Sequence, residues 1–382
     1  MSFDAIRYQP SAVRMLRAAV AHDRVPHAYL FVGPRGVGKG LAARELAKAL
    51  FCPSATGTDA ESIEPCDACP HCQRVDRGTH PDLYWFQKEP DRNDFRMSLV
   101  SRGKDSPEIV VIESVALMPM EAMRTVTVLD DAERLNASAA NALLKTLEEP
   151  APHAVLILLC ADASRLPGTI LSRCQWVRFR PLPEPFVAEK VREVLARRAE
   201  SAGGNEPGPP PSPEEITFVC RFAGGSVERA ADLVGSGLYD LKSGLLSGLP
   251  DLGADGALTM ADAINEWGQA VACREGVKWK TAEGNAVRRR TARLALAAVA
   301  SAFADAALLD AAGEGGEADL VNADQRAVVE KLRTWPAEAW ARAVGLLADG
   351  QTHIGRYVHP ELATENALVQ VSRLRPSGDG SG

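Results

Sequence analysis

The sequence predicts an α/β domain built on a parallel sheet, then a small helical lid domain and an all-α C-terminal domain. Three observations lead there. Short apolar, β-branched runs in the first half alternate with helical stretches and lack a strict in–out pattern, as parallel strands covered on both faces do. The first run passes into a glycine-rich turn and then an Ala/Leu-rich helix, a strand–loop–helix unit. From residue 260 to 371 the pattern is Ala/Leu helices with little β signal.

Residues 28–32 (AYLFV) form the first strand, and residues 41–50 the helix after the turn. Residues 109–112, 125–129 and 155–160 are three further strand candidates. Between the last two, residues 138–149 place Leu143, Leu144 and Leu147 at helical spacing, with Asn136 or Ser138 as cap and Pro150 as stop. Strand signals fade near Pro181, which sets the first domain at 1–180. Residues 214–235 read as a helical pair, and the Gly-rich stretch 243–256 as an interdomain linker, giving a lid at 181–250 and a final helical domain at 257–375. The Pro/Gly run 203–213 predicts a flexible surface loop, and 376–382 a disordered tail. The segment 89–107 is polar sequence ahead of the strand candidate at 109–112.

Composition narrows the function. The chain has 382 residues, 46% of them hydrophobic and 24% charged, with 43 Lys plus Arg against 50 Asp plus Glu for a net charge of −7. A uniformly basic nucleic-acid coat is excluded. No apolar run approaches the ~20 residues that span a bilayer, and the start lacks a secretory pattern, so the expectation is a cytoplasmic protein with no membrane partner. Eight cysteines in this length do not make a disulfide scaffold.

Three groups of residues carry chemistry. Gly33, Gly36, Gly38 and Lys39 fit G-x-x-x-x-G-K between a strand and a helix, where backbone N–H groups curl around an anion and the lysine adds a point charge. The next position, usually a Ser or Thr that helps hold Mg²⁺, is Gly40. The strand at 125–129 ends in Asp130 and Asp131. An Asp there can orient Mg²⁺, but its usual neighbour is a Glu, one methylene longer than Asp131, and ~1 Å of misplacement can cost ~10²-fold in rate. Cys66-x2-Cys69-x2-Cys72, with Cys52 fourteen residues earlier, offers four thiolates suited to tetrahedral zinc. A disulfide pair or an iron–sulfur cluster are the redox alternatives, and His71 and His80 are possible substitute ligands. Cys160, Cys174, Cys220 and Cys273 are isolated, mostly small buried hydrophobes.

The string HAYLF at 27–31, the loop at 33–39, the four-Cys module at 52–72, NALLKTLEEP at 141–150 and LPGTILSRC at 166–174 occur in one order. Together they resemble the clamp-loader subunits of bacterial DNA polymerase III, within the AAA+ superfamily. The resemblance is specific over about 1–235 and architectural beyond. It implies an AAA+ core, a helical lid and a collar that holds a hetero-oligomer together. Two kinds of subunit share these motifs, the gamma/tau ATPase and the delta-prime subunit. Gly40, Asp131, and Cys160-Ala161 where the ATPase presents a phosphate-sensing hydroxyl, all point to the delta-prime kind. They put ATP or ADP binding in doubt and argue against hydrolysis by this chain.

In the family, the Arg of the SRC string, here Arg173, is a finger that reaches a neighbour's nucleotide. Arg229, in GSVER at 225–229, resembles the second-domain sensor that approaches the phosphate pocket. The implied partners are the gamma/tau and delta subunits and, indirectly, the sliding clamp and primed DNA. Two rival readings are a gamma/tau-like ATPase, and a zinc-containing adaptor that uses the fold only for contact. The basic cluster Arg274, Lys278, Lys280, Arg288, Arg289, Arg290 and Arg293 reads as a solvated face or subunit contact before a phosphate site. Trp267, Trp335 and Trp340 read as core or interface anchors.

Overall fold

A computed structural model describes residues 3–55, 63–87, 95, 97–102, 107, 109–201, 210–313, 319–355 and 359–376. Most of the 203–213 loop, nearly all of the 376–382 tail and much of the polar stretch 89–107 lie outside these residues. The chain divides into two compact units, Met1–Pro183 and Glu184–Gly382.

In the first unit the order is α1 (Pro10–Ala21), β1 (Ala28–Val32), α2 (Lys39–Phe51), α3 (Pro70–Arg77), β2 (Leu83–Phe86), α4 (Met97–Val100), α5 (Val111–Ala116), β3 (Thr125–Leu129), α6 (Ala137–Glu148), β4 (Ala154–Cys160), α7 (Gly168–Leu171) and β5 (Gln175–Arg178). The five strands form one sheet in the order β2-β3-β4-β1-β5, and every neighbouring pair is parallel. This is the parallel α/β architecture that the sequence predicts. β1, β3 and β4 are almost wholly buried, which explains their continuous apolar runs. Leu30, Leu129, Leu156 and Leu158 pack with Leu143 and Leu147 of α6 and Ile170 of α7 in one core. The Asn136 side chain accepts from Ala139 N at 2.8 Å and caps α6. The register sets Val32 beside Cys160 and Leu129 beside Leu158, so the loop after β1, the acids after β3 and the end of β4 share one sheet edge.

One strand assignment is corrected. Residues 109–112 are not a strand; they run into α5, whose Val111 and Val115 are buried one turn apart. Glu113 accepts from Val110 N–H, and Ser114 bonds Thr127 of β3 at 3.0 Å, so the apolar run faces the sheet as a helix. The strand beside β3 is β2, a four-residue aromatic run. The Pro119 stretch is then a loop, shaped by the buried Asp82 carboxylate, which accepts from Met120, Glu121 and Ala122 N–H. β5, a half-exposed edge strand, was not among the four candidates either.

The second unit contains, among the described residues, helices only: α8 (Glu184–Ser201), α9 (Pro213–Phe222), α10 (Val227–Leu233), α11 (Leu238–Ser247), α12 (Ala254–Arg274), α13 (Ala282–Ala312), α14 (Arg326–Leu332), α15 (Ala337–Gly355) and α16 (Pro360–Ser372). The expected linker at 243–256 is largely element, because α11 reaches Ser247 and buries Leu245 and Leu246. Buried Lys242 of α11 pairs with Asp324 at 2.6 Å and anchors that helix. Leu249 and Leu252 are buried in the short connection to α12. α13 packs against α12, α15 and α16. Contrary to the sequence expectation, α13 is long and apolar enough to cross a bilayer, yet half of its apolar stretch is buried in this unit, as in a core helix. Trp335 packs on Phe303 at 5.5 Å and Trp340 donates to Leu332 O, so both are core anchors.

Candidate functional site

The glycine-rich loop grows out of β1. Gly33 N–H donates to Cys160 O at 3.1 Å, extending the β1–β4 ladder by one residue. A Cβ on Gly33 would lie 2.4 Å from Phe179 O, so only glycine lets the chain turn there. Gly38 has φ +99 and caps α2. Gly40 differs: a Cβ there would meet the Trp85 ring at an ordinary 3.6 Å. The loop thus has room for a side chain at the position that lacks one. Gly33→Ala is expected to destabilise by about 1–3 kcal/mol through overpacking. Gly40→Ala should stabilise by about 0.5–1 kcal/mol through helix propensity. Urea unfolding of the two variants checks both signs.

Lys39 is buried, and its Nζ donates to the carbonyls of Gly33 and Pro34 at 2.6 and 2.7 Å. Burial lowers its pKa, while Glu133 and Asp130 oppose that shift. Asp130 is raised by burial and then by its neighbour Asp131. Asp131 sits in the left-handed region at φ 58, and its carboxylate is bound by Arg35 of the loop, with Arg134 at 3.5 Å. Two guanidiniums thus engage the carboxylate at the position of the missing Glu. Glu133, which the sequence reading passed over, is buried and accepts from Ala161 N–H at 3.2 Å, tying the β3 exit to the end of β4. At that end stands Cys160, whose thiol is pushed up to about 12, chiefly by burial.

Arg173 follows α7. It is one-third exposed, and its guanidinium donates to Glu148 at 2.7 Å and to Thr169 O at 3.0 Å. Glu148 is the first Glu of the LEEP string, so two of the sequence signatures meet in one ion pair.

The four Sγ atoms of Cys52, Cys66, Cys69 and Cys72 lie within 4.8 Å of one another. Cys52 caps the C-terminus of α2; Cys69 caps the N-terminus of α3, and Cys72 is buried on that helix. Cys69 N–H points at Cys66 Sγ at 3.3 Å, and Cys72 N–H at Cys69 Sγ at 3.5 Å. Backbone amides of Ala68 and Cys69 lower Cys66 to about 6. Four converging thiols with amides aimed at sulfur fit a tetrathiolate metal, zinc above all. The histidines are spoken for: Asp82 N–H donates to His80 Nδ1, so His80 Nε2 carries the proton and donates to His71 Nδ1 at 2.9 Å.

Residues 8–183 match the family model described as DNA polymerase III, delta subunit. The match spans nearly the whole of the first unit. It is 34% identical over 185 residues to the DNA polymerase III subunit delta' of Bacillus subtilis, an alignment covering 48% of this chain and 51% of that protein. It is 35% identical over 228 residues to the delta' subunit of Pseudomonas aeruginosa, covering 59% and 61%. It is 30% identical over 284 residues to the tau subunit of Escherichia coli, covering 71% and 40%. The chain thus spans about half the length of the curated relatives it matches. Among solved structures, a DNA polymerase III gamma-subunit-related protein from Thermotoga maritima aligns over 96% of this chain and all of that one, at 15% identity and a TM-score of 0.40.

The remaining sequence candidates lie in the second unit. Arg229, on α10, stacks over Phe222 at 5.3 Å, and burial lowers its pKa. Three of the seven residues of the basic cluster make local contacts: Arg274 donates to Gly235 O, Arg288 stacks on Trp279 at 4.4 Å, and Arg290 pairs with Glu275. Trp267 Nε1 donates to Ser236 O at 2.9 Å, as a core anchor does.

Proposed function

We propose that this chain is a delta-prime-like subunit of the DNA polymerase III clamp loader, a stator that does not hydrolyse ATP and offers Arg173 to a neighbouring gamma/tau ATPase. One observation carries the reading. At a single sheet edge the phosphate cradle persists, yet the magnesium hydroxyl is replaced by Gly40, Asp131 is bound by Arg35, and Cys160 stands at the sensor position. An always-protonated guanidinium fixed near the neighbour's phosphates stabilises charge on the transferring phosphoryl group. Residues 1–180 with the module at 52–72 serve as the AAA+ core, 181–250 as the lid, and 257–375 as a collar that joins the hetero-oligomer in the cytoplasm. Arg229 serves as a sensor vestige of the lid. Partners are the gamma/tau and delta subunits and, through them, the clamp and primed DNA.

The second reading is a gamma/tau-like ATPase. It is favoured by the retained Lys39 and by the alignment to the tau subunit over 71% of this chain. A complex reconstituted with Lys39→Ala separates the two. The stator reading expects ATPase activity within twofold of wild type. A drop of an order of magnitude, with the complex still assembled, supports the ATPase reading.

A further inference from the structure

α2 begins at the phosphate loop and ends on the first metal-binding cysteine, and one buried side chain in its last turn is unusual. Lys48 is 0% exposed. Its Nζ lies 2.6 Å from Asp67, 2.9 Å from Glu45 and 3.3 Å from Asp76. These carboxylates come from three places: α2 itself, the turn between Cys66 and Cys69, and α3. A lysine buried without partners is costly, so this contact set is a defined position and not a solvated charge.

Asp67 explains what the position does. It occupies the left-handed region at φ 54, which non-glycine residues seldom adopt. That backbone turn aims Cys69 N–H at Cys66 Sγ and brings Cys66 and Cys69 to one side of the cluster. We propose that Lys48 is the positioning residue of the metal centre: by gripping the Asp67 carboxylate it holds the Cys66–Cys69 turn in its ligating shape and fastens that turn to the end of α2. With Asp76 it fastens α3, which carries Cys72, to the same point. The inference concerns metal binding alone and stands whether or not the clamp-loader reading does.

The test is zinc affinity of the full chain, by chelator competition, with the absorption of the cobalt(II)-substituted protein as a readout of ligand geometry. Lys48→Met is expected to weaken zinc binding by about 10–100-fold, the range for partners that orient ligands, and to shift or broaden the cobalt bands. Lys48→Met/Asp67→Gly should recover most of the affinity, because glycine takes the left-handed turn freely and no longer needs a carboxylate to be gripped there. Leu143→Ala, a core change in α6, should lower global stability yet leave zinc affinity unchanged. If Lys48→Met does not fold, Lys48→Gln with and without Asp67→Gly is read the same way. Unchanged zinc affinity in the single variant, or a double variant as weak as the single, overturns the proposal.

Discussion

Arg173→Ala is expected to lower the clamp- and primer-stimulated ATPase of a reconstituted complex by about 10³-fold or more, the scale of an arginine finger acting in trans. Fold and assembly should survive the change. Arg173 is part-exposed, and its partner Glu148 is half-exposed, so losing the pair costs about 0–1 kcal/mol of stability. That contrast between a large kinetic loss and a small stability loss is what separates a finger from a surface ion pair. Arg173→Lys should fail to rescue, because an ammonium lacks the planar fork that meets phosphoryl oxygens. Steady-state hydrolysis with wild type and both variants, alongside thermal melts of each chain, checks this. Stimulated hydrolysis within twofold of wild type in Arg173→Ala would leave the zinc-containing adaptor reading in its place.

The second large effect concerns the four-cysteine module. Cys72→Ser should abolish stoichiometric zinc binding and unfold the segment around α3. Cys72 is buried on a helix of eight residues. Structural zinc supplies on the order of 10–16 kcal/mol of apparent binding free energy in zinc-finger peptides, far more than such a segment can gain from packing. Elemental analysis of wild type should give one zinc per chain and no iron. The variant should be cut by protease between the end of α2 and β2 while the sheet remains protected. Iron, or a disulfide among these four cysteines in freshly purified protein, would favour the redox alternatives.

Much of the first unit was legible because its signals are local. A buried parallel strand announces itself by a continuous apolar run, and β1, β3 and β4 do so. The phosphate loop carries its glycines at fixed offsets for reasons of backbone geometry. The failures have physical causes too. A short apolar run does not distinguish a strand from a buried helical turn, and 109–112 became α5 once Glu113 capped it and Val111 and Val115 found the sheet. β2 is four residues long and β5 is half-exposed, so neither stands out. In the site, single residues could be read from the string, while pairings could not. Arg35 with Asp131, Arg173 with Glu148, and Lys48 with Asp67 join residues 19 to 96 positions apart in the chain, and only folding brings them together. In the second unit, Gly-rich sequence at 243–256 mimicked a linker, although leucines two and three residues before Gly248 fill a core.

The proposed stator role requires a nucleotide pocket that keeps its cradle without hydrolytic chemistry. The direct measurement is titration of the isolated chain with Mg-ATP by calorimetry, followed by a phosphate-release assay on the same sample. The account predicts no turnover, and no magnesium-dependent gain in whatever affinity for ATP the loop retains. Magnesium-dependent binding together with steady hydrolysis, both lost in Lys39→Ala, would contradict it.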